Sequence, residues 1–181
     1  MHNSAFRHRA LQGSYRAHQT TASTLAATLE ALQPTYLGLN ITAPLKTQVL
    51  DYCQEISDLA AHLGAANTLV SKNGIWRAEN TDAPGLLRVL GGPGALSRQT
   101  ADILGAGGAA SAAVWALNQA GCTQIQIRCR SKGAFDSLRT RAIVAEHILS
   151  WRPWTDEGKP VDLVINSTPL GRNESFPIPM R

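Results

Sequence analysis

The chain has 181 residues, room for one domain or two small ones, and its 44% hydrophobic and 17% charged residues are the balance of a globular protein, not a disordered one. Seventeen Lys and Arg against 13 Asp and Glu leave a net charge of +4. The basic residues are scattered, without a dense run or interleaved aromatics, which argues against a nucleic-acid surface and suits small anionic ligands. Cys53, Cys122 and Cys129 are odd in number and lack paired metal-ligand spacing, so reduced thiols, a cytoplasmic setting and no metal site are expected. No apolar run approaches a membrane span, and no signal-peptide core opens the sequence.

Residues 1–13 have helical spacing, with Ala5, Phe6 and Ala10 as inward positions, and 14–18 are expected as a short strand. A helix is predicted over 24–32, with Ser23 as N-cap and Leu25, Leu29 and Leu32 on one face. Residues 36–41 have the composition of a buried strand. It should end at Thr42, with Pro44 in the first turn of a helix running to about Cys53. Ser57 can cap the next helix, through Leu63. Residues 68–71 and 75–79 flank the turn Lys72-Asn73-Gly74 as two strands, and Pro84 opens a helix to about Leu90. Gly91-Gly92-Pro93-Gly94 is the clearest linker and divides residues 1–91 from 95–181.

Past the linker, an apolar run at 101–104 breaks at Gly105-Ala106-Gly107-Gly108-Ala109-Ala110, and small apolar residues continue at helical spacing. Strand, glycine turn and helix match G-x-G-x-x-A. Gly105 permits the turn, Gly107 lets the backbone approach a pyrophosphate, and Ala110 allows close helix–strand packing. The helix N-terminus offers free N–H groups and a positive dipole end to the phosphates. A second β-run at 124–128 leads into Arg128-Cys129-Arg130-Ser131-Lys132. An NAD site would place an acidic residue there for the ribose hydroxyl. Basic residues suit the 2′-phosphate of NADP instead, the competing assignment being a solvated basic loop. A helix near 134–141, a strand near 143–149, a Trp/Pro-rich loop and a β-run at 161–165 follow, ending in Asn166-Ser167-Thr168-Pro169-Leu170-Gly171. Alternating strands and helices imply parallel pairing, right-handed crossovers and a ligand cleft at the strand C-terminal ends.

The first part carries polar groups at similar corners. Thr42 on its own suits an N-cap, Lys46 a surface lysine, Asn67 a turn, and Asp82 a cap on the helix after Asn80-Thr81. Taken together, Asn40-x-Thr42-x-Pro44-x-Lys46, Gly64-Ala65-Ala66-Asn67-Thr68, Asn80-Thr81-Asp82-x-x-Gly85, Gly105–Ala109 and Asn166-x-Thr168-Pro169-x-Gly171 come in the order found in shikimate dehydrogenases. The chain resembles that family over nearly its whole length, and His2-Asn3-x-Ala5-Phe6 is similar to the family's early helix.

The resemblance implies an α/β fold, a substrate-binding domain followed by a Rossmann-like parallel-sheet NADP-binding domain, both incomplete. It implies NADP-dependent, reversible reduction of 3-dehydroshikimate to shikimate, in aromatic amino-acid biosynthesis, by a monomer or homodimer without metal or membrane. Lys46 and Asp82 become the acid–base pair. Asn40, Thr42 and Asn67 become substrate contacts. Gly105, Ala106, Gly107, Gly108 and Ala109 become the pyrophosphate loop, Arg130, Ser131 and Lys132 the 2′-phosphate turn, and Thr168 a neighbour of the nicotinamide. Family members also have a strand and a Ser-x-Ser turn before the His-Asn helix, and further strands and helices after the last motif. Two departures within the shared span are Cys129 and Ala134, where the basic turn often has Asn and Arg. A chain lacking both ends is expected to be marginally stable, with exposed apolar surface, and a poor enzyme alone. A quinate-preferring paralogue and a non-catalytic product that at most binds NADP are the alternatives.

Overall fold

Two four-stranded sheets, each with its own apolar core, account for the chain in a computed structural model that describes residues 1–142, 144–145, 147–156 and 159–170. The first part runs α1 (His2–His8), α2 (Leu25–Leu32), β1 (Gly38–Asn40), β2 (Glu55–Ile56), α3 (Asp58–Leu63), β3 (Thr68–Lys72), β4 (Ile75–Glu79) and α4 (Asp82–Val89). The second runs β5 (Thr100–Leu104), α5 (Gly108–Gln119), β6 (Gln124–Cys129), α6 (Lys132–Arg141), β7 (Leu149–Pro153) and β8 (Leu163–Asn166).

The first sheet has the order β1-β3-β4-β2, with β3 antiparallel to both β1 and β4, and β2 parallel to β4. The parallel pairing expected from alternating elements therefore fails here, while the two strands expected around Lys72-Asn73-Gly74 pair as an antiparallel hairpin. The cause is local: Asn73 and Gly74, both at positive φ, make the two-residue turn whose twist suits an antiparallel hairpin. Two antiparallel steps nevertheless return β1 and β4 to one direction. Asn40, Thr68 and Glu79 stand side by side in the ladder, so the chain leaves β1, enters β3 and leaves β4 at one edge of the sheet. The core under this sheet joins Leu25 and Leu29 of α2 to Val49, Leu69, Trp76 and Ala78. The Trp76 indole N–H donates to the Leu29 carbonyl at 3.1 Å, which satisfies its only polar atom.

The second sheet is wholly parallel, in the order β7-β6-β5-β8, as the alternation of elements predicts. Strand order reverses at β5, which puts a topological switch point at the C-terminal ends of β5 and β8. Helix α5 is buried nearly all round, from Ala110 to Leu117, because one side packs on β5 and β6 and the other meets the first part. Leu63 of α3, Ala83 of α4 and Ala112 of α5 form the small apolar cluster at that junction. Alanines there let the helices approach closely.

Several local expectations change. Residues 14–18 form no strand; both amide ends of the Asn3 side chain bond the Tyr15 backbone, at 2.6 and 2.9 Å, and take the place of a ladder partner. The start of the second helix is capped by a Thr21–Thr24 capping box on a short 3₁₀ turn (Ala22–Thr24), not by Ser23. The β1 strand is a partly exposed edge rather than a buried strand. No α-helix follows Pro44: the Lys46 carbonyl accepts from the Ala66 N–H at 2.8 Å, away from the helical ladder, and the chain goes on through a 3₁₀ helix (Gln48–Tyr52). The strand expected over 143–149 begins only at Leu149. Leu149 and Trp151 turn to the core, and an edge position tolerates Pro153. Residues 143 and 171, named in the sequence reading, lie outside the described residues.

Candidate active site at the shared strand edge

The edge that gathers β1, β3 and β4 holds Lys46 and Asp82 together. Lys46 Nζ lies 2.6 Å from Asp82 Oδ2, with the side chains 19% and 34% exposed. The pair is thus shielded enough to strengthen its electrostatics and open enough to meet a ligand. Asn67 closes the other side of the carboxylate: its Nδ2 donates to Asp82 Oδ1 at 2.8 Å and to Thr81 Oγ1 at 2.9 Å, and its Oδ1 accepts from the Thr81 N–H at 2.9 Å. Asn40 stands one ladder position away, and its Oδ1 accepts from the Tyr15 hydroxyl at 3.1 Å. That contact leaves the Asn40 amino group as the end free to donate. Thr42 is exposed at the same corner, one residue beyond Ile41, whose N–H bonds the Asn67 carbonyl at 2.8 Å.

The capping role that the sequence suggests for Asp82 belongs to another residue. Asn80 Oδ1 accepts from the N–H groups of Asp82 and Ala83, at 3.1 and 3.2 Å, and so caps α4. The Asp82 carboxylate is left for Lys46. Lys46 likewise is no free surface lysine. Asn80 carried a sequence signal, an Asn three residues ahead of a helical alanine, but Asp82 competed for the same role.

On the facing side, Gly105 turns the chain out of β5 at φ +105°, where a Cβ would stand 2.7 Å from Ser167 Oγ and 3.0 Å from Thr168 Cγ2. A side chain is thus excluded on two counts. Ser167 holds this contact by donating to the Leu104 carbonyl at 2.6 Å, and Thr168 is fixed by bonds from its N–H and hydroxyl to Asn166 Oδ1, at 2.9 and 2.7 Å. Gly107 borders open space, with no heavy atom within 4 Å of an ideal Cβ. Gly108 was not singled out for packing in the sequence, yet its Cβ position lies 3.3 Å from Ala65 Cβ and 3.4 Å from Lys46 Cβ. The start of α5, with Ala106 and Ala109 around Gly107 and Gly108, therefore abuts the residue that carries the ammonium group.

Next to this turn, β6 ends in exposed Arg130 and Lys132, while the Ser131 hydroxyl caps α6 by accepting from the Ala134 N–H at 3.2 Å. Arg128 turns inward instead and pairs with Asp102 on β5, both nearly fully buried. Burial pushes the Asp102 carboxyl up, against the opposing pull of the Arg128 guanidinium. Among the described residues no cluster of His, Cys, Asp and Glu could hold a metal ion, and no helix is long and apolar enough to cross a membrane.

Residues 1–69 match the family described as the shikimate dehydrogenase substrate binding domain. The chain is 33% identical over 176 residues to the shikimate dehydrogenase (NADP(+)) of Bacillus cereus strain 03BB102, covering 94% of this chain and 64% of that one. To the enzyme of the same name from Moorella thermoacetica it is 35% identical over 191 residues, covering 99% and 64%. Among solved structures, shikimate 5-dehydrogenase of Thermus thermophilus, in complex with NADP(H) and shikimate, superposes with a TM-score of 0.77 at 31% identity, over 92% of this chain and 61% of that one. The chain is therefore a relative of the shikimate dehydrogenases, spanning 64% of the length of these curated proteins.

Proposed function

We propose that the chain carries the reaction centre of an NADP-dependent shikimate dehydrogenase of the cytoplasm, acting as a monomer or homodimer, with residues 1–91 facing the substrate and 95–181 the cofactor. The observation that carries this reading is the Lys46–Asp82 contact of 2.6 Å set against the start of α5 at Gly108. An acid–base pair and a glycine turn are the two halves that a dehydrogenase must bring face to face. The residues present fit NADP: the surface at Gly107 is open to a close approach, the N-terminus of α5 favours an anion, and Arg130 and Lys132 stand exposed where an NAD site would be acidic.

The cofactor, when bound, supplies the hydride that a carbonyl carbon receives in reduction. The chain's own residues manage the oxygen. Charge grows there in the transition state, and the Lys46 ammonium donates a hydrogen bond and then a proton to it, giving the hydroxyl. Asp82 keeps the ammonium in place through Oδ2, while Asn67 fixes the rotation of the carboxylate through Oδ1. In the reverse direction the pair receives the hydroxyl proton and passes it to solvent. Asn40, Thr42 and Asn67 take the remaining hydroxyls of the substrate ring, and Thr168 borders the cofactor beside Gly105.

The test is a titration of the 181-residue chain with shikimate and with quinate, with and without NADP+, followed through backbone amide shifts, with NADPH formation measured in parallel. Shikimate should perturb Asn40, Lys46, Asn67 and Asp82, and more strongly with NADP+ present. In a form that turns shikimate over, Lys46→Ala should depress turnover far more than binding, as expected of a group acting in the transition state. A folded chain whose edge residues do not respond to shikimate would overturn the reading. A response to quinate alone would move it to the paralogous substrate.

A further inference from the structure

We infer that Asn80 is a positioning residue for the Lys46–Asp82 pair. The residue is 4% exposed, and both ends of its side-chain amide are used. Oδ1 accepts from the Asp82 and Ala83 N–H groups, while Nδ2 donates to the Ala65 carbonyl at 2.9 Å. The next residue, Ala66, donates its N–H to the carbonyl of Lys46 at 2.8 Å. One buried amide thus ties the backbone that carries Asp82 to the segment that holds the backbone of Lys46. Ala65 is also the residue whose Cβ meets Gly108, so the same anchor reaches the glycine turn.

The function follows from competition for the carboxylate. The first N–H groups of a helix need acceptors, and Asn80 supplies one for two of them. With Asn80 replaced by a residue that has no acceptor, those N–H groups are free to draw the Asp82 carboxylate toward the helix start and away from Lys46. The Ala65 carbonyl loses its donor at the same time, which loosens the segment under Lys46. Asn80 touches neither reacting group through its side chain; it acts by keeping Asp82 turned outward.

The catalytic consequence rests on the function proposed above, but the pairing consequence does not, and the experiment reads the pairing. The acylation rate of each lysine in the folded chain can be followed by mass spectrometry during brief treatment with acetic anhydride, with Lys72, Lys132 and Lys159 as internal references. Asp82→Asn removes the partner and sets the upper limit for Lys46 reactivity. Asn80→Ala should raise the Lys46 rate by about fivefold relative to those references, the equilibrium factor that a helix cap of ordinary strength carries. Hydrogen exchange at the Asp82 and Ala83 amides should quicken together with it. Asn80→Ser, which keeps a capping oxygen, should restore a Lys46 rate near that of the unsubstituted chain. A folded Asn80→Ala chain with an unchanged Lys46 rate would overturn the proposal. So would loss of the folded state in both variants, which would assign Asn80 to stability alone. A folded unsubstituted chain that does not respond to shikimate would count against the function and leave these outcomes readable.

Discussion

Gly105 and Gly107 sit two residues apart in one turn, and alanine should separate their roles. At Gly105 the backbone holds φ +105°, which an L-residue rarely adopts, at a cost on the order of 1–3 kcal/mol. The new methyl would also stand 2.7 Å from Ser167 Oγ, which cannot swing away without giving up its 2.6 Å bond to the Leu104 carbonyl. Overpacking of this kind adds a further ~1–3 kcal/mol. A total near 3 kcal/mol corresponds to a fall in Tm of about 6–12 °C for a chain of this size. Gly107, by contrast, has φ −88° and ψ −168°, open to any residue, and nothing within 4 Å of its Cβ position. Gly107→Ala should leave stability within about 0.5 kcal/mol. Its methyl would occupy the surface where a pyrophosphate must touch backbone, so NADP affinity should fall by about tenfold or more, on the order of 1.4 kcal/mol. Thermal unfolding and calorimetric titration with NADP+ on both variants check this. A Gly105→Ala chain as stable as the parent would refute the strained turn, and undiminished NADP binding by Gly107→Ala would move the phosphate site elsewhere.

Arg130→Ala should weaken NADP+ and not NAD+, by about 1–3 kcal/mol for a lost charge-assisted contact, as measured by calorimetry with the two cofactors. Asp102→Asn leaves the buried Arg128 without its counter-charge and should destabilise by ~3–5 kcal/mol in denaturant unfolding, whereas Asp102→Leu combined with Arg128→Leu should recover most of that loss. The Thr100 N–H and hydroxyl, which bond its carboxylate, hold the Asp162 carboxyl below the usual range. A depressed acid contributes stability above its unfolded value and loses it as pH falls through the folded one, so acid should weaken the β5–β8 junction and Asp162→Asn should flatten that slope.

Those parts of the fold whose cause lies within a few residues were legible in the sequence. Asn73-Gly74 specifies its hairpin, Ser57 its helix, and Gly105 its turn, because in each case a φ value or a cap is set by the residue itself. What long-range bonds decide was not legible. The chain after Pro44 is shaped by the Ala66 N–H taking the Lys46 carbonyl, and residues 14–18 by the distant side chain of Asn3. The β7 strand lies later than the sequence suggests because the apolar run before it resembles a strand, whereas Leu149 and Trp151 are the positions that alternate into the core. In the site the motif order named Lys46, Asp82 and Asn67 together. The cap on α4, which the sequence suggests for Asp82, belongs to Asn80; both residue types are good caps and only geometry separates them.

The antiparallel β3 bears on function more directly than its departure from the expected topology suggests. A cleft needs its polar groups at one edge, and a parallel sheet achieves this by bringing every strand home in the same direction. Here β1 and β4 agree in direction because β3 lies between them, and β3 contributes the group that its neighbours cannot. Since β3 runs the other way, the edge receives its entry point, and Asn67, just ahead of the strand, arrives beside two exits. A parallel strand in that place would have delivered Lys72 to the edge and left Asn67 at the far side of the sheet. The Asn67 bond to Asp82 Oδ1, and with it the orientation of the carboxylate that meets Lys46, depends on that reversal.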